Sequence, residues 1–258
     1  MDKIQKISAV IITYNEERNI ERCLASLEKV ADEIVVVDSY SSDSTPEICE
    51  KHGVRFIQNA FEGHIEQKNF ALGQAKFEVV LSLDADEALS PELEKSILTV
   101  KKDFESDGYF FNRLNNYYGK WIRYTSRYPD RKLRLWKKSM GSWGGINPHD
   151  KVIMRKDSQV SFLRGNLDHY AYATISEHVS QANRFTDIAA LAHYRNGISG
   201  GYIKIIVHPL WKFFREYIVK GGFLDGYHGL VMSGVISFET FLKYVKLKKL
   251  YRDNTKID

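Results

Sequence analysis

Cysteine is scarce in this chain, with two residues among 258. Cys23 and Cys49 lack metal-ligand spacing, which excludes a cysteine-held metal site, and both fall on the apolar side of predicted helices. The expectation is a pair of reduced core thiols in a cytoplasmic protein. The start, Met1–Lys6, has no continuous apolar stretch, so no signal peptide is expected. No run reaches about 18 apolar residues, so no spanning helix is expected. No G-x-G-x-x-G follows the first apolar run and no Walker lysine loop occurs, so dinucleotide and P-loop readings lack their phosphate cradles. Internal repeats and low-complexity tracts are absent as well.

What is present is material for a core. At 43% hydrophobic and 13% aromatic content the chain can fill one large domain, or one domain with an appendage. Ile7–Thr13 is an apolar, β-rich run. Ile20, Cys23, Leu24 and Leu27 then recur at helical spacing behind an acidic first turn. Glu33–Asp38 predicts a second buried strand. Ser44 or Thr45 can cap the following helix, with Pro46 in its first turn and His52-Gly53 at its end. Val54–Ile57 predicts a third strand, 65–75 a helix, Val79–Leu83 a fourth strand, and Ser90-Pro91-Glu92 the start of a further helix. This alternation implies βαβ units and a parallel sheet.

From Asp107 the texture changes. Segments 108–114 and 132–136 predict strands on either side of an aromatic, basic stretch over 117–131. Gly141–Gly145 reads as a flexible loop bearing Trp143, followed by Asn147-Pro148-His149-Asp150. Val179, Ala182, Phe185, Ala189 and Ala192 predict a helix over 177–194. Two apolar segments, 203–219 and 230–250, are divided by Gly221, Gly222 and Gly226.

Three predicted strand ends carry polar residues: Thr13-Tyr14-Asn15-Glu16, Asp38-Ser39 and Asp84-Ala85-Asp86. In an open α/β sheet, ligands bind at the carboxyl ends of the strands. Two carboxylates one residue apart suit a hard divalent cation and, through it, a diphosphate. Such a site needs no glycine loop. Standing alone, the same D-x-D reads first as a cap on the next helix. Together the three ends could bind a nucleotide, with Asp38 accepting from base or ribose and Asp84/Asp86 gripping a metal–diphosphate.

The runs Val10-Ile11-Ile12-Thr13-Tyr14-Asn15-Glu16, Val35-Val36-Val37-Asp38-Ser39 with Ser42-Asp43-Ser44-Thr45, and Leu83-Asp84-Ala85-Asp86-Glu87 resemble the family 2 glycosyltransferases of the GT-A fold, over at least residues 7–155. The chain is most similar to the lipopolysaccharide-core type, β-1,4-glucosyltransferases that add glucose to inner-core heptose. Trp143-Gly144-Gly145…His149-Asp150 is similar to that group's G-x-V-H-E segment, with Asp150 where Glu is usual and Asn147-Pro148 ahead of the histidine. The resemblance implies an α/β, Rossmann-like, mostly parallel sheet flanked by helices. The catalytic domain would span 1–200, a nucleotide-sugar half to about 106 and an acceptor half over 107–200, before a basic, aromatic helical extension over 201–258. It implies an inverting transferase using a nucleotide sugar, UDP-glucose above all, with Mg2+ or Mn2+.

By the same resemblance Asp86 would hold the metal, with Asp84 acting through ribose or water and Ala85 beside the donor. Thr13, Tyr14, Asn15 and Glu16 would line base and ribose, and Asp38 would meet the base. Lys68 would lie near ribose or phosphate; a solvated helix lysine is the plainer reading. Asp150 would take the acceptor's proton, or be a turn carboxylate. For His149 a metal ligand, a sugar contact and a packed loop histidine all stand open. Trp143 goes in as an acceptor contact, beside Trp121, Arg123, Arg127, Tyr128 and Arg131, which suit an anionic, sugar-rich acceptor.

The net charge of +4 is uneven: from Tyr202 to Asp258 ten Lys and Arg face five Asp and Glu. Basic amphipathic helices rich in aromatics can lie on a membrane surface, here through 202–250 at the inner face of the cytoplasmic membrane. The same stripes would also serve as core or as an oligomer contact. Nucleic acid is not an expected partner, because the lysines interleave with an apolar stripe and no base-reading module is visible. A sugar-nucleotide nucleotidyltransferase would want a Gly-rich loop near the N-terminus, and residues 10–20 contain no glycine.

Overall fold

The computed structural model describes residues 4–146 and 149–254. In chain order the elements are β1 (Ile7–Thr13), α1 (Ile20–Leu27), β2 (Glu33–Asp38), α2 (Thr45–Lys51), β3 (Arg55–Gln58), α3 (His64–Gln74), β4 (Val79–Asp84), β5 (Glu87–Leu89), α4 (Pro91–Val100), β6 (Gly108–Tyr117) and β7 (Lys120–Ile122). They continue with β8 (Asp130–Lys137), β9 (Gly141–Ile146), β10 (His149–Met154), β11 (Val160–Tyr172), α5 (Ile175–Arg195), α6 (Tyr202–Phe214) and α7 (Gly226–Asn254). Two compact units result: Met1–Leu114 with Asp130–Tyr170, and Asn115–Pro129 with Ala171–Asp258.

The first unit is built on a sheet of order β3-β2-β1-β4-β8-β6-β11-β5, parallel through β4 and antiparallel at the next two pairings. Its parallel strands are apolar on both faces, as strands covered on both sides must be. Ile7, Ala9, Ile11, Leu81 and Leu83 pack with α1 and α4, while Val10, Val35, Val37 and Val80 pack toward α3, Trp136 and Trp143. Register then fixes the polar edge: Thr13 lies beside Asp38, and Ile12 beside Asp84. Cys23 and Cys49 are both buried and unbridged, as expected. α4 begins with Ser90, whose Oγ accepts from Leu93 N–H.

Two local expectations change. Ser44 makes no side-chain cap on α2; Asp43 Oδ1 accepts from Thr45 N–H instead. Gly141–Gly145 is not a flexible loop but strand β9, paired antiparallel with β10. Gly141 serves close approach, since a Cβ there would lie 3.1 Å from the Ile153 carbonyl oxygen. The long strand β11 carried no expectation at all.

The second unit is helical, with α7 packed along both α5 and α6. The expected boundary at residue 200 falls inside it, because α5 shares a core with the C-terminal helix: Ala190 packs with Tyr244 and Leu247. α5 also presents a different face from the one its periodicity implied. His178, Ala182, Thr186 and Ala190 are buried, whereas Val179 and Phe185 are exposed. Among the described residues, no helix is long and apolar enough to cross a membrane.

Candidate active site

Two loops close over the carboxyl ends of β1 and β2. The hydroxyl-rich turn after β2 accepts the backbone N–H groups that precede α1. Asn15 N–H donates to Ser41 Oγ at 2.8 Å, Glu16 N–H to Thr45 Oγ1 at 2.9 Å, and Glu17 N–H to Asp43 Oδ2 at 3.0 Å. Asn15 returns the contact, its Oδ1 accepting from Ser42 N–H, and it holds a left-handed backbone at φ 53°. This explains the density of Ser, Thr and Asp between Ser41 and Thr45: side-chain acceptors there satisfy the backbone N–H groups ahead of α1. Tyr14 is exposed beside them.

Asp38 is fully buried, and its carboxylate accepts from Ser41 N–H and Ser41 Oγ. In this structure Asp38 shapes the loop, and its Oδ2 also accepts from Gln58 Nε2 at 3.4 Å. Thr13 is buried with its Oγ1 lacking a hydrogen-bond partner. Burial pushes the Glu16 carboxyl up to about 7, the neighbouring Asp86 and Asp43 adding to it and the Asn19 amide opposing it.

The D-x-D turn follows. Between β4 and β5 the Glu87 side chain folds back, Oε2 accepting from Asp84 N–H at 3.0 Å, and Ala85 is buried between the two aspartates. β5 pairs with β11 so that Glu87 stands opposite His169. That register sets His169 Nε2 3.1 Å from Asp86 Oδ2. Burial raises the Asp86 pKa, but His169 outweighs it and holds the carboxyl below its ordinary value.

Lys68, from α3, is 3% exposed, so it is no solvated helix lysine. Its Nζ lies 2.9 Å from Asp84 Oδ1 and 2.8 Å from Asp150 Oδ2, and 4.4 Å above the Trp143 ring. Next to it, Asn69 clamps the Trp143 backbone, donating to the carbonyl at 2.9 Å and accepting from the N–H at 3.0 Å. α3 thereby fixes the β9–β10 hairpin that delivers Asp150. Arg134, from β8, donates Nη2 to Asp84 Oδ2 at 3.0 Å and Glu87 Oε1 at 3.1 Å. Arg113, from β6, pairs with Glu87 and Asp130. Burial pushes Asp84 up, yet Lys68 and Arg134 prevail and hold it well below the usual carboxylate range.

The structure therefore gathers Lys68, Asp84, Asp86 and Asp150 at one edge and adds Glu87, Arg113, Arg134 and His169. Trp143 is buried beneath the cluster, not offered on a loop to a sugar. His149 lies in β10, but its side chain falls outside the described residues, as do Asn147 and Pro148. Of the added residues only Glu87 stood within a motif. Arg113, Arg134 and His169 come from antiparallel strands whose register no local pattern specifies.

Asp84, Asp86, Glu87, Asp130 and Asp150 face Lys68, Arg113, Lys132 and Arg134, with His169 against Asp86. Among the described residues no three His, Cys, Asp or Glu side chains converge on a metal position. Asp86 and His169 are the adjacent groups that would hold a divalent cation, leaving the remaining positions to diphosphate oxygens and water; the carboxylate and diphosphate oxygens are the part of that set that suits Mg2+ or Mn2+. Arg134 Nε and Nη1 are buried without hydrogen-bond acceptors, a further fit to an anionic ligand.

Residues 8–159 match the sequence profile of Glycosyl transferase family 2. An uncharacterized glycosyltransferase of Rickettsia bellii is 33% identical over 256 residues, covering 95% of this chain and 87% of that one. The lipopolysaccharide core biosynthesis glycosyltransferase LpsC of Rhizobium meliloti is 27% identical over 248 residues, covering 93% and 91%. Among solved structures, glucosyl-3-phosphoglycerate synthase from Mycobacterium tuberculosis, in complex with Mn2+, UDP and glucosyl-3-phosphoglycerate, is 22% identical with a TM-score of 0.37. That match covers 43% of this chain and 44%, under half, of the other.

Proposed function

Because the chain belongs to glycosyl transferase family 2, we propose that this glycosyltransferase moves glucose from UDP-glucose, with inversion, onto a lipopolysaccharide-core or similar cell-envelope glycan. The observation that carries the reading is the Asp86–His169 pair beside the buried Lys68–Asp84–Asp150 cluster, at the carboxyl ends of the parallel strands. The match to LpsC over most of both chains supports the acceptor class. A lipid-borne acceptor of that kind would be met at the inner face of the cytoplasmic membrane.

Asp86 and His169 would hold Mg2+ or Mn2+, which when bound neutralises charge developing on the leaving diphosphate. The chain's own groups do the rest. Thr13 and the Tyr14–Glu16 loop orient base and ribose. Lys68 and Arg134 keep Asp84 ionised and offer cationic N–H groups to phosphate. Asp150, oriented by Lys68, removes the proton of the acceptor hydroxyl as it attacks the anomeric carbon opposite the leaving group.

Calorimetric titration with UDP, GDP, CDP and UDP-glucose, each with Mn2+ and with EDTA, tests the donor site. Expected is Mn2+-dependent binding of UDP and UDP-glucose, weakened at least about tenfold in Asp86→Ala. Binding indifferent to both EDTA and Asp86→Ala, or no binding by folded protein, would overturn the proposal.

A further inference from the structure

Helix α6 is inside out. Ile203, Ile206, Val207, Leu210, Trp211 and Phe214 recur at spacings of three and four, so they share one face. In a surface helix that face should turn to the core. Here all six are exposed, Ile203 at 72% and Leu210 at 67%. The opposite face is the one that packs, with Pro209 buried and its carbonyl accepting from Ser237 Oγ of α7. Phe223 and Leu224, in the turn before α7, are exposed apolar residues as well.

The charges near this face are sorted by sign. The acidic residues between 202 and 238 are Glu216 and Asp225, and both are buried. Glu216 accepts from Ser126 N–H and pairs with Lys212; Asp225 accepts from the N–H groups of Arg123 and Tyr124. Arg215 and Lys220 remain exposed. An apolar face whose exposed charges within 202–238 are all basic complements an anionic lipid surface, where side chains enter the interface and cations meet headgroups. A symmetric second copy would instead bring like-charged rims together.

We propose that the outward face of α6, with Phe223 and Leu224, is a docking surface for an anionic membrane, with α6 lying in the interface plane. Docking requires neither donor nor cation, so it stands or falls apart from the transfer reaction.

The test is flotation of the full chain with phosphatidylglycerol-containing or pure phosphatidylcholine vesicles, at low and high salt, for wild type, Leu210→Glu and Arg215→Gln/Lys220→Gln. Thermal melts verify folding. Wild type should float with anionic vesicles and far less with neutral ones. Leu210→Glu should lower partitioning at least about tenfold, and the double variant should remove most of the salt dependence. Brominated lipid should quench Trp211, which is 58% exposed, and lose that quenching in Trp211→Phe. Equal flotation of wild type and Leu210→Glu would overturn the proposal. So would absence of vesicle binding together with a dimer that Leu210→Glu dissolves, which would make the face a self-association contact.

Discussion

Replacing Lys68 by Met tests whether the buried ion cluster holds the site together. The substitution keeps an unbranched side chain over the Trp143 ring and deletes the ammonium. Asp84 retains Arg134 at 3.0 Å, whereas Asp150 loses the cation 2.8 Å from its carboxylate. Removing one member of a buried pair costs about 3–5 kcal/mol. The surviving Arg134 contact argues for the low end, about 3 kcal/mol, or a melting temperature lower by about 6–12 °C in a unit of this size. Most of the cost resides in the stranded Asp150 charge, so Asp150→Asn in the same chain should recover about half of it.

The acid limb gives a second readout. Asp84 has a depressed pKa in the folded state, so its stabilising contribution is complete above the ordinary carboxylate value, about 4, and is lost as pH falls below it. Lys68→Met should flatten that loss. Urea unfolding of the four members of the cycle, from pH 7 down to pH 3, measures both effects. If Lys68→Met costs less than about 1 kcal/mol, or if the two substitutions prove additive, the cluster does not act as a unit and the reasoning fails.

Two further outcomes follow from single residues. Glu16 has a folded-state pKa of about 7, raised by burial, so its contribution is complete below its unfolded value and is lost as pH rises through 7. Glu16→Gln should therefore raise the melting temperature relative to wild type at pH 8 and not at pH 5; an equal difference at both pH values would refute the assignment. In α7 a Cβ on Gly229 would lie 1.8 Å from the Gly222 carbonyl oxygen, whereas one on Gly234 meets nothing within 4 Å. Gly229→Ala should cost about 2 kcal/mol or more, and Gly234→Ala should be neutral or stabilise by up to about 1 kcal/mol in thermal unfolding.

The parallel half of the sheet was legible because its information is local. Each parallel strand announces itself by an apolar run and ends on its own polar residues, so aligning the strands brings Thr13, Asp38 and Asp84 to one edge. The remainder depends on pairings between distant segments. Asp86 and His169 are 83 residues apart, and Lys68 and Asp150 are 82 apart. The first pair meets only because β5 and β11 adopt one register, in which a one-residue slip would send His169 to the other face. Lys68 shows the same limit from the opposite side. A lysine among polar helix neighbours resembles a solvated one until Asn69, grasping the Trp143 backbone, brings a hairpin down over it.

Periodicity also leaves direction undetermined, and the two C-terminal helices show why. Both α6 and α7 carry apolar residues at helical spacing with lysines between them. In α7, Tyr244 and Leu247 turn inward because α5 offers Ala190 opposite. In α6 the inward positions are held by polar commitments. The Pro209 carbonyl receives Ser237, and in the turn that continues the helix Glu216 is fixed by Ser126 N–H and Lys212. Rotating α6 to bury Ile206 and Leu210 would part the Glu216 carboxylate from the Ser126 N–H and the Pro209 carbonyl from Ser237, although Lys212 would turn with the helix. The Ser126 N–H, left without its acceptor, would bear the cost of an unmade hydrogen bond. The apolar face is therefore held outward by the chemistry of the face behind it.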